Sequence, residues 1–240
     1  MPSPLAPADF EKLRSLDTPT VSNAIERFDV RLRNEGFVHA TARCLFPELP
    51  PMLGYAVTAC IRSSAPPMAE RCYYDRMDFW KHVLTIPAPR ILVLRDVDPT
   101  PGLGAFVGEI HAHIALSLEC RGCVTNGAVR DLPAIEALGF PLFAGSVAVS
   151  HAFAHIIEFG DSLEIGGLRI HPGDLVHGDL HGVQTIPLSI AAQVPGKAAE
   201  IQAQERELIG LCRSRDFSLE LLEHQLRKIN PGQVHPQVPK

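Results

Sequence analysis

Hydrophobic positions fall into two textures along the chain. In the first half, apolar residues at helical spacing alternate with short, nearly continuous apolar runs, the pattern of helices laid on strands buried on both faces. Leu13 and Leu16 mark an N-terminal helical region. Thr18 then precedes Pro19, with Val21, Ala24, Ile25 and Phe28 at helical spacing, which predicts a second helix capped by Thr18 with proline at its first position. A proline-rich loop around Pro47, Pro50 and Pro51 follows. Residues 55–61 and 90–94 read as strands, separated by a helix carrying Phe79, Trp80, Val83 and Leu84. Ile110, Ile114, Ala115 and Leu118 predict a helix opening at Gly108-Glu109, and a short apolar strand then runs to Arg130-Asp131 and a further helix from Leu132.

Beyond Pro141 the texture changes to short apolar runs broken by Gly-Gly and Pro-Gly, at 142–143, 155–159, 163–165, 168–170, 175–176 and 183–186. These predict antiparallel strands and hairpins packed on the first half. Residues 196–229, rich in glutamate and leucine, return to helix, and 230–240 form a Pro/Gln tail expected to be mobile. Ile201, Leu208, Ile209, Leu211, Leu219, Leu221, Leu222 and Leu226 form apolar stripes that would be satisfied equally by the same core or by another subunit. The organisation predicts one α/β domain over 1–240.

Composition narrows the function classes. With 46% hydrophobic and 20% charged residues in 240, the chain is long enough for one sizeable core without staples. A net charge of -5, with no basic run interleaved with aromatics, argues against a general nucleic-acid surface. The N-terminal residues lack an apolar signal core, and no eighteen apolar residues run together, so a cytoplasmic, non-membrane protein is expected.

The chemistry centres on Gly122-Cys-Val-Thr-Asn-Gly-Ala-Val-Arg-Asp131. A guanidinium fork matches a carboxylate bidentately, and the adjacent aspartate offers the hard oxygen that Mg2+ or Mn2+ prefers, so Arg130-Asp131 suits a metal-chelated 2-oxo acid. The alternative is local: Asp131 stands before Leu132-Pro133, where it would cap a helix. Upstream, Gly108-Glu109-Ile110-His111 opens a helix whose first-turn N–H groups favour an anion; the plainer reading there is an ordinary αβα unit. Lys12, Lys81, Lys197 and Lys228 all lie in stretches that read as polar helix surface, which disfavours imine chemistry.

Six cysteines and eleven histidines invite other readings. Cys120 and Cys123 form a lone C-x-x-C with no second pair, expected to be packing thiols rather than a zinc or redox site. His151 and His155 are four apart, but no glutamate follows His151 and 156–159 reads as strand, so a zinc-protease pattern fails; these histidines are expected to line a pocket or a subunit surface. No glycine-flanked elbow surrounds Ser150. His177 and His181 flank Asp179 on a predicted hairpin and receive no role.

Several motifs in order make the chain resemble a known family: Thr20-Val-Ser-Asn-Ala-Ile25, Gly54-Tyr-Ala-Val-Thr58, Gly108-Glu-Ile-His111, Asn126-Gly-Ala-Val-Arg-Asp131, Gly139-Phe-Pro-Leu-Phe-Ala144 and Pro172-Gly-Asp-Leu-Val-His-Gly-Asp179. The family comprises 4-hydroxy-4-methyl-2-oxoglutarate aldolases, the regulator of ribonuclease activity A, and proteins misnamed demethylmenaquinone methyltransferases. The resemblance implies a layered α/β/β/α sandwich of swivelling-domain type with mixed sheets and C-terminal helices. It also implies trimers or paired trimers with the active site between subunits.

In the aldolases, as the resemblance implies, Arg130 binds the pyruvyl carboxylate and Asp131 the divalent metal, Mg2+ or Mn2+. Glu109 assists the metal shell through water, and backbone amides of Gly108, Glu109, Ile110 and His111 face the substrate. Glu205 or Glu200 would match an acid supplied by the C-terminal helix of a neighbouring subunit. Such a metal stabilises the enolate left by cleaving a carbon–carbon bond beside a 2-oxo acid, so aldolase and oxaloacetate decarboxylase activities should travel together. The base is left open among His111, Glu109 and a metal-bound water. The competing reading is a non-catalytic protein that binds and inhibits a ribonuclease. A methyltransferase is disfavoured because no glycine-rich nucleoside loop is present. Asn23, where the family often has aspartate, and Ser150 to His155, which is outside the motif set, suggest a substrate of different size or polarity.

Overall fold

The computed structural model describes residues 5–67 and 76–229, and the expected mobile tail at 230–240 lies outside them. Two compact units are present, Met1–Pro195 and Gly196–Lys240. The first is built on strand β2 (Met52–Arg62), whose ten residues before Arg62 are all buried. That run is apolar on both faces because both are covered, which is what a central strand requires.

Strands β3 (Arg90–Asp96), β5 (Cys120–Thr125) and β7 (Leu142–Ala144) extend β2 as a parallel sheet, with Val57 opposite Leu92, Val93 opposite Val124 and Val124 opposite Phe143. β1 (Arg43–Cys44) closes one side. On the other side β2 is shared: its first half pairs antiparallel with β12 (Leu175–Asp179), its last third with β9 (His155–Phe159). β13 (Gly182–Ile186) completes a hairpin with β12. One face of this sheet, presenting Ala56, Ile91, Val93, Val124 and Phe143, packs on a hairpin of β10 (Leu163–Ile165) and β11 (Leu168–Ile170). Each large apolar side chain fully buried here contributes roughly 1.5–3 kcal/mol. The strand set past Pro141 thus occurs at its predicted positions, with one correction. β7 is parallel to β5 rather than part of an antiparallel hairpin, since it follows helix α5 (Leu132–Ala137) as a crossover strand.

Helix α1 spans Pro7–Arg14 and helix α2 Thr18–Glu26. The α2 cap differs from the prediction: Asp17 is the N-cap and accepts from the Thr20 N–H at 2.7 Å, while Thr18 begins the helix. Thr18 instead donates its N–H and hydroxyl to Asp179, a buried carboxylate on β12. Helix α3 (Arg76–Val83) buries Phe79 and Val83 but leaves Leu84, just beyond its end, exposed. Helix α6 (Val194–Cys212) begins two residues before the range predicted to be helical, and α7 (Leu219–Ile229) falls within it. Among the described residues no helix is long and apolar enough to cross a membrane.

A second, small parallel sheet positions the chemistry. It is made of β4 (Ala105–Val107), β6 (Ala128–Val129) and β8 (Ser146–Val147), too short to announce themselves by periodicity.

Candidate functional site

Parallel pairing sets the site. Val107 lies opposite Val129, so the segments leaving β4 and β6 emerge side by side at the carboxyl ends of their strands. In open α/β sheets this is where ligands bind. The Arg130 N–H donates to the Val107 carbonyl at 3.0 Å, locking the two exits together. One exit is Gly108 followed by helix α4 (Glu109–Ser117), and the other is Arg130-Asp131 followed by α5.

Asp131 is the N-cap residue of α5 by position but not by chemistry. Its backbone is left-handed, at φ 59° and ψ 36°, and its side chain makes no cap bond to α5. Oδ2 instead accepts the N–H of Glu109 at 3.1 Å, so the carboxylate satisfies a first-turn amide of the neighbouring helix. The local-capping alternative is therefore replaced by a tertiary one. A non-glycine residue in this conformation is uncommon and costs energy that the surrounding contacts must offset. Oδ2 also lies 3.5 Å from Arg130 Nε, with both side chains partly exposed. Oδ1 has no hydrogen-bond partner among the described residues.

Gly108 makes the approach possible. A Cβ there would stand 2.6 Å from Asp131 Oδ2 and 3.2 Å from Arg130 Nε. Its φ of -138° is open to any residue, so glycine is required by space and not by backbone conformation.

These residues border a cleft of about 440 Å3, within the range of small-molecule sites. Glu109 and Ile110 form its rim on the first turn of α4. The predicted stripe of that helix is corrected here: Ala112 and Ala115 face the core, whereas Ile110 is 73% exposed. His111 is held between two aromatic rings, 4.7 Å from Phe106 and 6.2 Å from Trp80 between centroids. His151 and Ala154 also line it, and His151 Nδ1 is 2.7 Å from the Ala152 carbonyl oxygen.

Gly108, Glu109, Ile110, His111, Arg130 and Asp131 thus line one cleft. The expectation that all of the Gly108 to His111 amides face a ligand is corrected at Glu109, whose N–H is given to Asp131. Glu205 and Glu200 are exposed on α6, in the second unit, and Glu200 pairs with Lys197 at 2.6 Å. Trp80, Phe106 and Ile114 also line the cleft; the spacing of Trp80 and Ile114 marks them only as apolar helix positions, and Phe106 offers a hint by standing two residues before Gly108. Of the other histidines, His155 is buried with Nδ1 2.7 Å from the Phe153 carbonyl oxygen. His181 Nδ1 stands 3.1 Å from Asp179 Oδ1, outside the cleft lining.

The loop feeding β4 is held by two aspartates at the end of β3. Asp98 is buried and accepts from Ser63 N–H at 2.7 Å, Ser64 N–H at 2.9 Å and both hydroxyls. Burial alone would raise its pKa, but the hydrogen bonds from Ser64 and Ser63 outweigh it and hold the carboxyl below its ordinary value. Ser63 Oγ in turn accepts the Gly104 N–H at 3.1 Å, just before β4. Asp96 accepts the Gly102 N–H at 2.8 Å, and the Asn126 side chain bridges the Asp96 backbone.

Glu109 and Asp131 offer hard oxygens, the ligands Mg2+ and Mn2+ prefer, and among the described residues no three His, Cys, Asp or Glu side chains converge. Two carboxylates fit a cation that keeps several waters or takes ligands from elsewhere.

Residues 18–184 match the model of a family described as RraA-like, Aldolase/RraA. A protein of Halalkalibacterium halodurans, provisionally named a 4-hydroxy-4-methyl-2-oxoglutarate aldolase, is 35% identical over 102 residues, covering 42% of this chain and 49% of that one. The chain thus spans about half the length of that relative. Among solved structures, an uncharacterized protein from Pseudomonas syringae pv. tomato matches with a TM-score of 0.72 at 23% identity, over 92% of this chain and 95% of that one. A Streptomyces coelicolor protein, described as an unusual member of the RNase ES inhibitor RraA protein family, matches at 0.67 and 18% identity, over 86% and 98%. These two likenesses bear on the fold.

Proposed function

The chain belongs to the Aldolase/RraA family, and from that premise we propose that it is a divalent-metal-dependent lyase that cleaves a carbon–carbon bond of a 2-oxo acid to give pyruvate. The observation that carries this reading is the junction of Gly108, Glu109, Arg130 and Asp131 in one cleft, where the Arg130 guanidinium stands beside the Asp131 carboxylate that accepts the Glu109 N–H.

Arg130 anchors the substrate carboxylate, since its planar fork matches two oxygens at once. Asp131 would hold Mg2+ or Mn2+, and Glu109 would support the same cation. When bound, the cation supplies Lewis-acid stabilisation of charge developing on the keto oxygen. The Glu109 N–H fixes the Asp131 carboxylate, so that its orientation is set before substrate arrives. Oxaloacetate, which yields the same product when it loses carbon dioxide, should be decarboxylated at this site, while a cytoplasmic homotrimer or homohexamer is the assembly this reading carries with it.

Pyruvate release from oxaloacetate and from 4-hydroxy-4-methyl-2-oxoglutarate with Mg2+ or Mn2+ tests the proposal, comparing wild type with Arg130→Ala and Asp131→Ala. Metal-dependent release lost in both variants is the expected result. No release from either acid, with no metal binding by calorimetry, would sink the lyase reading and redirect attention to a protein partner.

A further inference from the structure

The geometry points to a substrate with one carboxylate and an aromatic or bulky apolar group, in place of the second carboxylate of an oxodicarboxylic acid. This inference rests on the lyase reading for the carboxylate anchor, and goes beyond it in naming what fills the rest of the cleft.

Charge comes first. Arg130 is the only side chain among the described lining residues that is positive at every working pH, and it is matched by the carboxylates of Glu109 and Asp131. A divalent cation would bring that set to one net positive charge, and an acid from a neighbouring subunit would lower it further, so one substrate carboxylate is the most it balances. A second carboxylate would have no permanent cation of its own among these residues and would lose hydration in the cleft.

Shape and polarity agree. A pyruvyl unit occupies only a small part of about 440 Å3. The remaining wall is formed by Trp80, His111 and Phe106, whose rings pack at tilted angles of 36° and 42°, together with Ile110 and Ile114. Trp80 and Phe106 are buried and held by neighbours, so the wall is preformed, while Ile110 is 73% exposed at the mouth, where an apolar ligand would cover it. Burial of an apolar group is the interaction such a wall offers.

A 4-aryl-4-hydroxy-2-oxobutanoate meets these demands. Cleaving its C3–C4 bond returns the electron pair to C3 as pyruvate enolate. The hydroxyl proton leaves as C4 becomes an aryl aldehyde, and C3 takes up a proton, so the reaction balances without another reactant.

Trp80 is the chain's single tryptophan, so intrinsic fluorescence reports on this wall directly. The full chain with Mg2+ is titrated with 2-oxo-4-phenylbutanoate and with 2-oxoglutarate, and calorimetry is run on both. The phenyl acid should bind at least about tenfold more tightly, the scale of discrimination that an apolar pocket reaches. Ile110→Arg, at an exposed position that does not threaten folding, should narrow or reverse the preference. In parallel, pyruvate release is compared for 4-hydroxy-2-oxo-4-phenylbutanoate, 4-hydroxy-4-methyl-2-oxoglutarate and oxaloacetate.

Equal or tighter binding of 2-oxoglutarate, or no binding of either acid, overturns the inference. If oxaloacetate is still decarboxylated, the lyase reading survives that result. Preference for the phenyl acid without pyruvate from any substrate upholds the ligand class and overturns the lyase reading instead.

Discussion

Replacing Gly108 by alanine isolates the geometric core of the site. Alanine adopts φ -138° and ψ -171° without strain, so backbone conformation drops out and only the added methyl matters. At 2.6 Å from Asp131 Oδ2 that methyl is too close, and the carboxylate must move by about half an ångström or more, or rotate away from the Glu109 N–H. Losing this partly exposed bond should cost about 0.5–1.5 kcal/mol, a melting shift of only a few degrees in a chain of this length. Activity should fall much further, by about a hundredfold, because a displaced ligand loses alignment with Arg130. Gly108→Ser sharpens the test: serine is a favoured N-cap, so stability should be held or raised while activity falls as in the alanine variant. The assay pairs metal-dependent pyruvate formation with a thermal melt. A kcat/KM within about twofold of wild type in either variant would refute the claim that the Asp131 carboxylate must sit against Gly108.

Three further perturbations address the fold around the site. Burial holds the His177 imidazole neutral and pushes its pKa down to about 4, against the pull of Asp179. The unfolded chain takes up that proton nearer 6.5, so the contribution is fully present above pH 6.5 and about 3 kcal/mol is lost as pH falls toward 4. His177→Leu, which removes the buried imidazole, should flatten urea-unfolding stability over that window; parallel curves would count against it. Asp98→Ala strands the buried Ser63 amide and should destabilise by about 3 kcal/mol in denaturant unfolding, and a change below about 0.5 would show the network is dispensable. Burial pushes the thiols of Cys60 and Cys120 up to about 12 and raises Cys123 as well, so maleimide should label exposed Cys212 in the native protein and spare those three until denaturant is added. Rapid native labelling of Cys120 or Cys123, read by peptide mass spectrometry, would restore a redox reading of C-x-x-C.

What the sequence made legible follows from how far each feature depends on its neighbours. The run through β2 announced a central strand because burial on both faces leaves no polar alternation to confuse it. The motif residues also declared themselves, since Gly108 to His111 and Arg130-Asp131 each stand at a strand exit. Their meeting could not be read from local pattern. It depends on β4 and β6, three and two residues long, whose pairing has no periodic signature. Asp131 before Leu132-Pro133 carries the local signature of a cap, and a tertiary amide wins that carboxylate only because Gly108 leaves room. Ile110 shows the same limit. Helical spacing marked it as apolar but could not say whether the stripe faced the core, and Ala112 and Ala115 took that role. An exposed isoleucine on the turn that carries Glu109 is costly to solvate and places apolar surface at the mouth of a charged site. Cation support from Glu109 and apolar surface from Ile110 thus arise at adjacent positions of one helix, which is why exchanging Ile110 should alter which acid binds while Gly108, two residues earlier, governs whether the Asp131 carboxylate is aligned at all.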